Sequence, residues 1–87
     1  MTVYMVERDL PGITTDALAQ AQRTAIEGAE RMTREGTPVR YLRSTFLPSA
    51  ERCLCLFEAE SAEAVEDLNR GAGIPFERVV EALDLSP

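Results

Sequence analysis

The chain predicts an α+β fold, a sandwich of two helices on one face of a four-stranded antiparallel sheet. Three observations carry this. Strand-forming residues gather in four short stretches, and apolar residues recur at three- and four-residue spacing in two others. These stretches follow the order β-α-β-β-α-β. Finally, the 87 residues contain no linker, repeat or low-complexity segment between them. The expectation is one domain over residues 1–87, with a core that buries only about 60–65% of the unfolded surface.

The first strand runs from Thr2 to Arg8, rich in Val3, Tyr4, Met5 and Val6, and Pro11-Gly12 breaks it as a turn does. Thr14 or Thr15 caps the helix that follows, with Asp16 placed where the helix dipole favours an acid. Leu18, Ala21, Ala25, Ala29 and Met32 trace one face of it, and so much alanine predicts a helix lying close to the sheet. Gly36 and Pro38 stop it. Val39 to Leu47 alternates as a half-covered strand, and Pro48 to Glu51 is a loop. Arg52 to Glu58 reads as a central strand, with Cys53, Cys55 and Phe57 on one face and Leu54 and Leu56 on the other. Ser61 caps a shorter helix through Ala64, Val65 and Leu68 to Gly71, and Glu77 to Leu85 is the last strand.

In this length the order corresponds to a ferredoxin-like βαββαβ sandwich. Its second sheet face stays uncovered. Cys53, Cys55, Phe57, Met5 and Val3, if placed there, make it too apolar for water. A homodimer that covers this face is the expected remedy, ahead of a lodged ligand.

Composition removes whole classes of chemistry. All nine basic residues are arginine, fifteen are acidic, and there is no histidine, lysine or tryptophan. No histidine means no Ser-His-Asp triad, no Cys-His dyad and no imidazole base. No lysine means no Schiff base and no P-loop cradle. A net charge of −6 argues against nucleic acid and against an anionic membrane surface as partners. An RNA-recognition motif shares this element order, but Arg52-Cys53-Leu54-Cys55-Leu56-Phe57 lacks its aromatic and basic signature. A metallochaperone would carry Cys-x-x-Cys where this chain has Asp9-Leu10-Pro11-Gly12. Glu7, Arg8 and Asp9 interrupt the apolar start, so no secretory leader is expected. Cys53 and Cys55, two apart on one strand, are expected to stay reduced, in a cytoplasmic protein.

Three blocks point further. Val6-Glu7-Arg8-Asp9-Leu10-Pro11-Gly12, then Cys55-Leu56-Phe57-Glu58-Ala59 with Ser61-Ala62-Glu63-Ala64-Val65, then Gly73-Ile74-Pro75 follow one another along nearly the whole chain. Together they resemble a family of short bacterial proteins of unknown function that includes a nickel-binding, dimeric ferredoxin-like branch. The resemblance implies a homodimer and a divalent metal, nickel above all. The chain departs from it in offering no imidazole, the nitrogen donor that nickel generally favours. The remaining candidate ligands are Glu7, Asp9, Cys53, Cys55 and Glu58, which would suit zinc or manganese as well.

Two cysteines on one strand face could share a soft metal, although burial tendencies favour packing. Strand alternation brings Glu7, Tyr41, Arg43 and Glu81 into reach of one another on the open face, as a group for a small polar ligand. A half-buried Glu7 beside Tyr41 would have a raised pKa and act as a base, with Arg43 orienting the substrate. The commoner arrangement is an ion pair of Glu7 or Glu81 with Arg43. The expected function is thus a small homodimeric protein that binds a metal ion or small ligand, in sensing or storage. The alternative is a cofactor-independent enzyme acting on a hydrophobic small molecule between sheet and helices, with Glu7, Tyr41 and Arg43 as its working groups.

Overall fold

Side-chain alternation along each strand decides which residues meet the helices, so the sheet register fixes the site. In a computed structural model, which describes residues 1–87, the order is β1 (Thr2–Asp9), α1 (Thr15–Arg34), β2 (Val39–Leu47), β3 (Arg52–Ala59), α2 (Ala62–Ala72) and β4 (Arg78–Ala82). The strands form one sheet in the order β2-β3-β1-β4, every neighbour antiparallel. This is the ferredoxin-like α+β sandwich. The last strand is five residues long and shorter than the sequence suggests, and it leaves Leu83 and Leu85 exposed beyond it. No helix is long and apolar enough to cross a membrane.

The helix ends follow from their caps. Thr14 accepts the Ala17 amide through its hydroxyl at 3.0 Å, and Asp16 and the pair Arg31 and Arg34 sit at the matching ends of the α1 dipole. The Thr33 hydroxyl donates to the Val39 carbonyl and accepts the Val39 amide, which pins the end of α1 to the start of β2. Ser61 caps α2 on the Ala64 amide. Gly73 closes α2 at φ +71°, a left-handed conformation that glycine adopts without strain. Helix α2 therefore runs past Gly71, where the sequence suggested a stop.

Between the layers lie Val6, Phe57, Val65, Leu68, Ala25 and Ala29, all buried. The register assigns the two sheet faces. Val6 pairs with Cys55, Arg8 with Cys53 and Tyr4 with Phe57, so these look toward the helices. Met5 pairs with Leu56 and Glu7 with Leu54, so these look outward. Cys53, Cys55 and Phe57 thus belong to the covered face, contrary to the expectation that they share the open face with Met5 and Val3. Leu54 and Leu56 take their place there, and the open face remains a half-buried apolar strip of Val3, Met5, Leu54, Leu56 and Val80.

Candidate functional site

A β-bulge shapes the site. Tyr41 pairs with Phe57 and Arg43 with Leu56, so one extra residue, Leu42, lies between consecutive partners. The insertion turns Tyr41 toward the helices and Arg43 toward the open face. Beyond it, Ser44 pairs with Cys55 and Phe46 with Cys53 on the covered face. The quartet expected from simple alternation is therefore split. Glu7 and Arg43 lie on the open face, while Tyr41 and Glu81, which pairs with Tyr4, lie on the covered one.

On the open face the charges are paired otherwise than expected. Arg43 binds Asp84 at 2.8 Å, and Glu7 receives Arg52 at 2.8 Å and Arg78 at 2.5 Å. Hydrogen bonds from Arg78 and then Arg52 hold the Glu7 carboxyl below the usual glutamate range, against its partial burial. Glu7 is thus an ionised ion-pair partner, as in the commoner of the two expected arrangements but of Arg52 and Arg78 in place of Arg43, and not a raised-pKa base. Asp9 also binds Arg52, at 2.7 Å, and Glu58 binds Arg40 at 3.3 Å.

The candidate metal ligands do not converge. Glu7, Asp9 and Glu58 are on the open face, each tied to an arginine, whereas Cys53 and Cys55 are on the other side of the sheet. No group of three or more histidine, cysteine, aspartate or glutamate side chains could hold a metal ion. The donor set of the chain does not fit a resident nickel ion.

What the covered face does build is a cavity of about 240 Å³ between α1 and the sheet. Leu18, Ala21 and Ala25 of α1 form one wall, and Phe46, Cys53 and Cys55 form the other. The alanine row and the facing cysteines and serine are too small to fill the space between the layers. The expected close approach of α1 therefore leaves a void at its N-terminal half. A dry apolar void of about 150 Å³ holds benzene, so this one has room for a molecule somewhat larger than a single ring. The exposed Thr15 and Gln22 stand at its rim.

A chain of polar groups runs through this apolar lining. Gln22 Nε2 donates to the Tyr41 hydroxyl at 3.1 Å, Tyr41 meets Ser44 Oγ at 2.5 Å, and Ser44 Oγ donates to Cys55 Sγ at 3.0 Å. From the other side Cys53 Sγ lies 3.7 Å from Cys55 Sγ. All five residues line the cavity, and so does Arg8. The donors converge on one sulfur. The Cys53 hydrogen bond first, then the Arg8 charge and the Ser44 hydroxyl, outweigh burial and lower the Cys55 thiol to about 6. The same pairing, with burial, pushes the Cys53 thiol up, so Cys53 keeps the proton.

Arg8 is the unusual member, only 2% exposed. Its Nη2 donates to Asn69 Oδ1 of α2 at 2.8 Å and its Nη1 to the Pro75 carbonyl at 3.3 Å. Its Nε–H is buried with no acceptor at all. No carboxylate forms an ion pair with it, which makes a buried cation costly unless a nearby anion answers it. Sequence reasoning singled out Tyr41, Cys53 and Cys55 but missed Arg8, Ser44 and Gln22. The signal for Arg8 was available, since it shares strand parity with Val6 and the two form part of one face.

Fold and cavity together define a small ferredoxin-like protein with a ligand-sized chamber between its layers. Within that class the chain belongs to the nickel responsive protein SCO4226-like family, whose model matches residues 4–82. Among solved structures it is similar to SCO4226 from Streptomyces coelicolor A3(2), at 27% identity and a TM-score of 0.79 over 98% of this chain and 99% of that one. None of the curated proteins compared matches it.

Proposed function

We propose that this is a homodimeric small-ligand-binding protein that takes a compact, largely apolar molecule into the cavity between α1 and the sheet. The observation that carries the reading is an otherwise apolar chamber lined in part by Arg8, whose buried Nε–H has no acceptor. A donor left dry and unpaired costs about 1–3 kcal/mol, and an acceptor supplied by a ligand would return it. The family description names a response to nickel, and a sensing role accords with it. The nickel ligands of such a response are not supplied by the carboxylates and thiols of one chain.

The open face supports the dimer. Its apolar strip is flanked by both signs of charge, among them Arg40, Glu58 and Arg43, and a two-fold interface needs such a self-complementary surface. Two free buried thiols suit a reducing compartment, and we place the protein in the cytoplasm.

The test is a thermal-shift and ligand-observed NMR screen of single-ring carbonyl compounds on the native protein and on Ala21→Leu, which fills the cavity. Binding that the substitution abolishes supports the reading, and binding indifferent to it removes the cavity as the site. Light scattering should give twice 9.6 kDa for the native chain and a single chain for Leu56→Arg. A native monomer at all concentrations would reject the dimer.

A further inference from the structure

The sulfur pair has a chemistry that reversible binding does not use. Building on the cavity as a ligand site, we propose that Cys55 is a nucleophile that captures small α,β-unsaturated carbonyl compounds there as thioethers. The geometry gives each part of such a reaction a group. Ser44 Oγ donates to Cys55 Sγ, Cys53 Sγ lies 3.7 Å from it, and Cys55 is among the residues that line the cavity. Because its neighbours also lower its pKa, Cys55 carries the negative charge and Cys53 the proton.

In the reaction Cys55 Sγ forms a bond to the β-carbon, the alkene electron pair shifts, and the carbonyl oxygen becomes an enolate oxygen. Arg8 supplies the one buried hydrogen-bond donor in the site that has no acceptor, the arrangement that stabilises charge where it develops. The α-carbon then takes the Cys53 proton, and Cys53 regains one from water. One C–S and one C–H bond form, the C=C bond becomes single, no group leaves, and no external oxidant or reductant is consumed. A soft cation is the other natural partner of two thiols, but the Arg8 charge beside them disfavours it, as it does not disfavour a neutral enone. The volume, about 240 Å³, limits the substrate to roughly one ring with a short substituent.

The probe is N-ethylmaleimide, with saturated N-ethylsuccinimide as its unreactive counterpart, followed by intact-mass and peptide-mapped mass spectrometry on the full chain. We expect one adduct, on Cys55, in the folded protein, and none in Cys55→Ser. Thiolate nucleophilicity falls as pKa falls, so the rate gain at neutral pH over an ordinary thiol is only about two- to threefold. The pH profile is the sharper readout. Its midpoint should lie more than one unit below the ordinary thiol value of about 8.5 and rise in Cys53→Ala, which removes the donor that lowers it most. Arg8→Gln should slow the reaction by tenfold or more, and Ala21→Leu should block it while leaving the protein folded.

A midpoint at the ordinary thiol value, equal labelling of both cysteines, or labelling only after denaturation would each overturn the inference. If N-ethylsuccinimide still raises the Tm while the maleimide fails to react, the nucleophile is rejected and the binding site stands. If the maleimide labels Ala21→Leu as fast as the native chain, both fall together.

Discussion

Glu7 and Arg8 are neighbours in β1 and face opposite sides of the sheet, and the two sides treat charge in opposite ways. Glu7, on the open face, is held by two arginines, one of which also binds Asp9 and Glu77. Arg8, on the covered face, has no carboxylate partner, donates to two neutral oxygens, keeps a donor to spare and meets only the lowered Cys55 thiol as counter-charge. The open face is electrostatically finished and apolar in its middle, as a surface for another protein would be. The covered face is apolar and electrostatically incomplete, as a chamber for a small molecule would be. A fold this small thus gives its two faces opposite electrostatics by strand parity alone.

The contrast is tested most strongly in β3, where Leu56 and Phe57 are also neighbours on opposite faces. Phe57→Ala should cost about 3–5 kcal/mol, because Phe57 is wholly buried and makes an edge-on contact with Tyr41. Leu56→Ala should cost less than about 1 kcal/mol in dilute solution, where that face meets water, and more as protein concentration rises. Urea unfolding at two concentrations checks both, and equal, concentration-independent losses would break the distinction.

Next in size is Asn69→Leu, which takes the acceptor from Arg8 Nη2 inside the protein. A loss of about 1.5–3 kcal/mol is expected from chemical denaturation, as for a hydrogen bond to a charged group. A neutral result would mean that Arg8 finds its partners elsewhere.

Acid should reveal the other face. The folded-state pKa of Glu7 is lowered, so its contribution is full above the ordinary value of 4.5 and is lost as pH falls below that toward the lowered one. Asp9, lowered through its hydrogen bonds with Glu77 and Arg52, adds to the same loss. The urea midpoint should therefore fall between pH 5 and pH 3, and fall less steeply in Glu7→Gln. An unchanged slope in that variant would show that the network does not hold the carboxylate.

The smallest effect serves as a yardstick that touches neither face. Gly12 sits at φ +71° in the β1–α1 turn, with open space around it, so Gly12→Ala adds strain without a clash. About 1 kcal/mol is expected by thermal unfolding.

The fold was legible because its signals are local. Thr14, Ser61 and the alternation in β1 and β3 each speak for their own element, and the element order then leaves little choice of topology. The site was half legible. Cysteine parity put Cys53 and Cys55 together correctly, but nothing local says which face of a two-faced strand the helices will cover. That is decided by the partners across the sheet, Val6 and Arg8 on one side and Met5 and Glu7 on the other. The cavity was hidden for a related reason. The alanines of α1 are compatible with a close approach or a void, and only the small side chains opposite them select the void.

One inserted residue has a consequence for how kin of this protein are compared. Leu42 shifts the pleat of β2 by one step, so the positions before and after it exchange sides relative to an uninterrupted strand. A relative lacking that residue must carry a one-position gap inside the strand. Aligned without the gap, its groups would be matched to the wrong surface from that point on. A true equivalent of Ser44 would then seem to be missing while standing one position away.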